Sequence, residues 1–235
     1  MTTIEDVLKF RENGPWRDLV ALAVDMVADA ERHAGDVMAP LLGGGTRIML
    51  AIGHRISHDV DLFIHDAQWI GYLTPRLNDK FEDQITGYEE DATWVKLKRR
   101  DGEVDFIVAG SLLNQPPEKD PALPFALESV EEVIAKKLFY RGWSLTARDL
   151  FDWKAVSEHP RYGHLRGLLA AVLPLDRRIL LTSSLEKLAS LPAAAAQWEA
   201  IRAPSRIPLS DAVAWAQDEL RIFEDAPDDV PSCHP

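Results

Sequence analysis

An apolar pair, Leu41-Leu42, runs into Gly43-Gly44-Gly45-Thr46; after a short apolar segment, Arg47 to Ile52, the chain reads Asp59-Val60-Asp61-Leu62-Phe63-Ile64. Three successive glycines are costly inside a helix or strand, so they mark a turn. The alternation that follows has period two. Val60, Leu62 and Ile64 fall on one face of a strand, with Asp59, Asp61 and Phe63 on the other. An apolar strand, a glycine turn, a short helix and then a D-x-D strand form a specific order of elements.

Two residues of strand rise set Asp59 and Asp61 about 6.5–7 Å apart on one face. Both reach one Mg²⁺ or bridge two, because magnesium takes oxygen ligands and keeps substrate phosphates in its shell. Bare backbone N–H groups at a glycine turn entering a helix favour phosphate oxygens. A phosphate cradle beside a two-carboxylate metal post is what nucleotidyl or phosphoryl transfer requires. Taken singly, the glycines also fit a plain loop and the D-x-D a solvated strand. A third carboxylate, Asp105, lies in the apolar run Val104 to Val108, where a charge needs a reason; an edge-strand position facing water is the plainer one.

The 235 residues make one large domain or two small ones. Helical spacing predicts a helix over 18–34, a mostly helical stretch over 67–82 interrupted at Pro75, and two strands, 93–99 and 103–108, joined at Asp101-Gly102. The four prolines of 116–124 mark a boundary. Beyond it the pattern is helical. Ser129 with Glu132 has capping-box spacing, Thr146 caps the next helix, and further helices are expected near 165–173, 177–191, 193–202 and 210–223. The expected fold class is α/β (α+β), a small mixed sheet followed by an all-helical domain. Its parts are a core over 1–115, a helical domain over 125–225, and an acidic, proline-containing tail over 226–235.

On the helix from Val130, Lys137 falls within the apolar stripe, where an ammonium must snorkel or meet an anion. Lys136 lies off the stripe, four residues after Glu132, and reads as a solvent-side pair. On the next helix Arg148, Asp149 and Asp152 share a face. The tryptophans, Trp143, Trp153, Trp198 and Trp215 among them, read as helix packing.

A single cysteine, Cys233, excludes a disulfide framework and a cysteine-based zinc site. The absence of an apolar run long enough for a membrane span, and of a secretory signal, favours the cytoplasm. A formal net charge of −12 argues against a whole-surface nucleic-acid binder, though not against a local basic patch. Period two around Asp59 excludes a helical H…HD…D phosphohydrolase site. His54-Arg55 lacks the contiguous H-R-D of kinases, and no G-x-S-x-G elbow is present.

Gly44-Gly45-Thr46, followed by Gly53-His54-Arg55-x-Ser57-x-Asp59-Val60-Asp61-Leu62-Phe63, resembles the signature of the nucleotidyltransferase superfamily: a glycine pair, a short helix, D-x-D and a third Asp on a later strand. More narrowly it resembles the AbiEii/AbiGii toxin-type nucleotidyltransferases of toxin–antitoxin and phage-defence systems. The later segments Glu132 to Leu138 and Ala147 to Asp152 are similar to that family's lysine and R-D-x-x-D motifs. The resemblance runs from about Pro40 to Trp153. A third glycine in the loop, and Arg47 where a small residue is more usual, depart from it.

The resemblance implies a Mg²⁺-dependent enzyme that moves an NMP from an NTP to an acceptor and releases pyrophosphate. It implies Asp59, Asp61 and Asp105 as ligands of two Mg²⁺ ions. Gly44, Gly45, Thr46, Arg55, Ser57, Lys137 and Arg148 are implied on the nucleotide. Asp152 is implied to orient Lys137 or the base, against the plainer reading of an Arg148–Asp152 ion pair. The implied acceptor is a tRNA 3′ end, and a cognate antitoxin is an implied partner. Lys96, Lys98, Arg99 and Arg100 offer a local basic patch for RNA, although Lys96 and Lys98 also fit a solvated strand face. A protein or small-molecule acceptor, and a nucleotide-binding module without turnover, stay open as alternatives.

Overall fold

The computed structural model describes residues 2–224. The expected acidic tail, 226–235, and Cys233 lie outside the described residues. Backbone contacts divide the chain into two compact units, with the division between Val133 and Ile134.

The first unit opens with α1 (Ile4–Asn13) and α2 (Trp16–Ala34). The short strand β1 (Leu41–Leu42) leads into α3 (Gly44–Ile52) and then β2 (Val60–Ile64). Next come α4 (Gln68–Leu73) and a 3₁₀ turn (Asp79–Gln84). The strands β3 (Gly87–Asp91), β4 (Trp94–Lys98), β5 (Glu103–Val108) and β6 (Ala126–Leu127) complete the unit. They form one six-stranded mixed sheet, ordered β3-β4-β5-β2-β1-β6. β2 runs parallel to β5, and β1 parallel to β6; the other pairings are antiparallel.

The sheet has one dry face. Val60, Leu62, Ile64, Val95, Leu97, Val104 and Phe106 are all at most 1% exposed. They join a core supplied by α2 (Trp16, Leu19, Leu22, Ala23, Met26, Ala30) and α4 (Trp69, Ile70, Leu73). Each fully buried aliphatic or aromatic side chain here contributes about 1.5–3 kcal/mol by removal from water. The opposite face of β2, β4 and β5 carries the alternating polar residues, and that placement sets up the site.

Four elements differ from the sequence expectation. α1 was not anticipated; Thr3 and Asp6 form a reciprocal capping box that starts it. The 67–82 segment breaks at Pro75 as expected, but its second part is a 3₁₀ helix rather than an α-helix. α4 stops at Leu73 because Thr74 precedes Pro75 and takes an extended ψ of 129°. β3 was also missed. Its half-exposed Gly-Tyr-Glu-Glu-Asp sequence is weakly strand-like, and it forms because β4 offers it a hydrogen-bonding edge. Last, the proline-rich 116–124 stretch lies within the first unit rather than ending it. Beyond it β6 returns to pair with β1, and Glu118 bridges Leu127. Arg47, 3% exposed, fastens this return: its Nε donates to the Glu128 carbonyl at 2.6 Å and its Nη2 lies 2.9 Å from the Glu118 carboxylate.

α5 (Val130–Arg141) crosses the division. The second unit continues with α6 (Ala147–Ser157), α7 (Leu165–Val172), α8 (Leu175–Ser190), α9 (Pro192–Glu199) and α10 (Leu209–Glu224). Its core includes Leu138, Leu150, Trp153, Leu165, Leu169, Leu181, Leu185 and Trp198. Trp153 meets Trp215 edge-on at 5.1 Å, and Trp198 meets Phe151 at 5.6 Å, so these three tryptophans pack as expected. Trp143 does not; it is 62% exposed on the turn after α5. Among the described residues no helix is long and apolar enough to cross a membrane.

Candidate active site

In the first unit the site grows from the glycine turn. Gly43 N–H donates to the Asp61 carbonyl at 2.9 Å, which ties the turn to β2. Gly44 has φ +63°, a left-handed conformation that side-chain-bearing residues avoid. A Cβ there would also stand 1.8 Å from Asp61 Oδ2. At Gly45 a Cβ would meet the Arg55 guanidinium at 2.5 Å and Ser57 Oγ at 2.7 Å. The turn is therefore closed around three of the residues that the sequence singled out.

Thr46 and two of those three, Arg55 and Ser57, are buried beside the turn. Thr46 is fully buried and its hydroxyl donates to the Asp59 carbonyl at 2.5 Å. Arg55 is 4% exposed and donates to the Ile56 carbonyl at 3.1 Å. Ser57 is buried beside them. Their positions fix where β2 begins relative to the start of α3, whose free N–H groups and dipole favour an anion.

β2 and β5 then bring the carboxylates together. Their parallel register pairs Asp61 with Asp105 and Val60 with Val104. Neighbouring strands lie about 4.8 Å apart, so Asp61 and Asp105 are side by side on one face, with Asp59 one step along it. Asp59 Oδ1 accepts from the Glu103 backbone N–H at 3.3 Å, which holds it toward β5.

Asp105 is 8% exposed, and its Oδ1 is buried without a hydrogen-bond partner. Its Oδ2 lies 2.8 Å from Lys96 Nζ. Burial, and then the charge of Asp61, push its carboxyl up to about 7, against the pull of Lys96. Lys96 stays charged: burial lowers its pKa, but Asp105 and Glu103 raise it further.

Among the described residues no three carboxylate, imidazole or thiolate groups converge as a ready-made metal cage. The donor set nevertheless fits a hard divalent cation whose remaining ligands come from a substrate. Its oxygens are carboxylate oxygens, and one of them is buried with its lone pairs unused.

In the second unit Lys137 Nζ lies 2.5 Å from Asp149 Oδ1 and 3.3 Å from Asp152 Oδ2. Both carboxylates are fully buried, and Lys137 is 12% exposed. Asp149 also closes a capping box with Thr146, accepting from its hydroxyl at 2.7 Å and its N–H at 3.1 Å. Burial raises the Asp149 pKa, but the charges of Lys137 and Arg141 and the bonds from Lys137 and Thr146 bring it below the usual carboxylate range. The helix-helix clamp is thus Lys137 with Asp149 and Asp152. Arg148, on α6, is exposed.

The solvent-side reading of Lys136 is corrected. Lys136 is 5% exposed, because α5 is buried on all sides from Val130 to Leu138 except at Lys137. Glu132 also holds the 111–113 loop, accepting from Leu112 N–H at 2.7 Å and Leu113 N–H at 2.8 Å.

Sequence reasoning missed Glu103 and Glu128 and left Lys96 unresolved. Glu128, 3% exposed, brings its Oε2 to within 2.9 Å of a Cβ built on Gly43, and nothing in its local sequence announces this. The places of Lys96 and Glu103 were hidden because the expected Asp101-Gly102 turn would set Lys98, not Lys96, opposite Asp105. Arg99 N–H bonds the Gly102 carbonyl, so Arg100-Asp101 is the turn and Lys98 faces Glu103 while Lys96 faces Asp105.

The family to which the sequence matches makes this chain a nucleotidyltransferase enzyme. A family model described as nucleotidyl transferase AbiEii toxin, Type IV toxin–antitoxin system, matches residues 30–221, and the chain belongs to that family. Among solved structures it is similar to MenT4, a nucleotidyltransferase toxin from Mycobacterium tuberculosis. That likeness has 17% identity over 97% of this chain and 92% of that one, with a TM-score of 0.52, and it shows a shared fold. It is also similar to JHP933 from Helicobacter pylori, at 13% identity over 88% of this chain and 92% of that one, with a TM-score of 0.44. A comparison with curated protein sequences finds no match.

Proposed function

We propose that the chain is the toxin of a toxin–antitoxin pair and transfers an NMP from Mg-NTP to the 3′ end of tRNA. The observation that carries this reading is the Asp61–Asp105 pairing on one open sheet face, with Asp61 packed against the glycine turn.

The acceptor hydroxyl oxygen forms a bond to the α-phosphorus as the bond to the bridging oxygen of the β-phosphate breaks. Pyrophosphate leaves, and Asp105 helps activate the hydroxyl. Asp59, Asp61 and Asp105 would hold two Mg²⁺ ions, which when bound would neutralise the triphosphate and polarise the α-phosphate. Gly44 and Gly45 leave backbone N–H groups bare for phosphate oxygens. Thr46, Arg55 and Ser57 brace that cradle from behind. In the second unit Lys137, oriented by Asp149 and Asp152, and Arg148 are cations suited to an anionic ligand. Toxicity and restraint by a cognate antitoxin follow the family to which the chain belongs.

The test is label transfer. The protein is incubated with each α-³²P-labelled NTP, Mg²⁺ and total cellular RNA, beside an Asp61→Ala control. A tRNA-sized band that disappears in the control identifies both nucleotide and acceptor. Label on protein or on a small molecule moves the acceptor to that class, and Mg-NTP binding without label in any fraction overturns transfer.

A further inference from the structure

The open face of the sheet holds more charge than the three aspartates. Asp59, Asp61, Glu103 and Asp105 occupy two neighbouring rows on β2 and β5, so four carboxylates stand close on one surface. One ammonium reaches into them from the next strand. Lys96 faces Asp105 across the β4–β5 ladder, with its Nζ 2.8 Å from Asp105 Oδ2 and hydrogen-bonded also to Glu103. Its side chain is 25% exposed, and that of Asp105 is 11% exposed. Lys98, two residues along the same face, goes the other way and pairs with Glu89 on β3.

We propose that Lys96 is a built-in cation that competes with a divalent metal for Asp105, and that Glu103 keeps the ammonium when the metal is bound. The proposal rests on the reading of Asp59, Asp61 and Asp105 as the metal post. A divalent cation on the unpartnered Asp105 Oδ1 and the Lys96 ammonium on Oδ2 of the same carboxylate repel each other strongly in a partly dry site. Without metal, Lys96 offsets the mutual repulsion of the four carboxylates. A metal ion that arrives repels the ammonium, and a second carboxylate within its reach, Glu103, gives it somewhere to stay. Free divalent ions therefore bind the protein weakly. A metal carried on a triphosphate, which brings compensating negative charge against the glycine turn, binds more readily.

The experiment measures Mn²⁺ binding to the full chain without nucleotide, from the loss of the free-ion electron paramagnetic resonance signal, so it needs no activity. Lys96→Met keeps the length of the side chain and removes its charge. Lys96→Arg keeps a charge, and Lys98→Met removes one nearby that does not touch Asp105. Lys96→Met is expected to bind Mn²⁺ at least tenfold more tightly than the unsubstituted protein. Lys96→Arg is expected to stay near the unsubstituted value, and Lys98→Met to change by less than threefold. The competition is overturned if binding depends on Asp61 yet Lys96→Met is no tighter, or if Lys98→Met tightens it equally. If neither the unsubstituted protein nor Lys96→Met binds Mn²⁺ in a way that Asp61→Ala abolishes, the metal post itself is wrong and the proposal falls with it.

Discussion

Gly44 is the residue whose neighbours leave it least freedom. Its φ of +63° and the 1.8 Å approach of Asp61 Oδ2 to the place of a Cβ act together. Gly44→Ala is expected to displace Asp61 and lower transfer at least a hundredfold with the helical circular-dichroism signal retained. Asp149 presents a different case. It is fully buried, holds Lys137 at 2.5 Å and caps α6 through Thr146. Removing one partner of a buried ion pair costs about 3–5 kcal/mol, because the other charge is left stranded. Asp149→Ala is thus expected to lower stability by about that amount in urea unfolding.

At the scale of elements, two ties stand out. Asp29 on α2 is 1% exposed and receives Lys80 at 2.6 Å, Arg32 at 2.8 Å and Asn78 at 3.0 Å, so it fastens α2 to the 78–80 segment. The bond from Lys80, opposed by burial and aided by Asn78 and Arg32, holds its carboxyl well below the ordinary range. A depressed folded-state pKa contributes stability above the unfolded value of about 3.9, lost as pH falls through the folded one. Asp29→Asn is expected to lower the melting temperature at pH 7 and to converge with the unsubstituted protein as pH drops below about 4. The second tie is Arg47, which joins α3 to Glu118 and the Glu128 carbonyl. Arg47→Ala is expected to expose the proline-rich 116–124 stretch to limited proteolysis, with cleavage located by mass spectrometry.

Across the whole molecule the sheet divides its labour between faces. The dry face carries the core, and the open face carries the acids, so removing metal does not touch what holds the first unit together. EDTA is expected to abolish transfer while leaving far-ultraviolet circular dichroism unchanged, and added Mg²⁺ or Mn²⁺ to restore it. The net charge of −12 belongs to this scale too. It disfavours non-specific nucleic-acid binding, so random duplex DNA is expected not to compete with an RNA acceptor near physiological salt.

Local sequence by itself determined the elements that rest on local rules. The alternation at 59–64 places Asp59 and Asp61 opposite the aliphatic residues, Thr146 caps α6, and the turn before Glu103 starts β5. It also carried the family, because the glycine turn and D-x-D motif lie within one short stretch. Tertiary structure decided whatever depends on chain segments far apart. β3 and β6 form because a neighbouring strand offers an edge, not because Gly87 to Asp91 or Ala126-Leu127 are strong strand formers. Lys136 is buried because α5 has no solvent face along that stretch, which no pattern within the helix reveals. Lys96 turns toward Asp105 through the hairpin register, and Glu128 reaches Gly43 through the return of β6. The physical reason is common to all five: a side chain's period fixes which face it takes, but only the packing of distant segments fixes what that face meets.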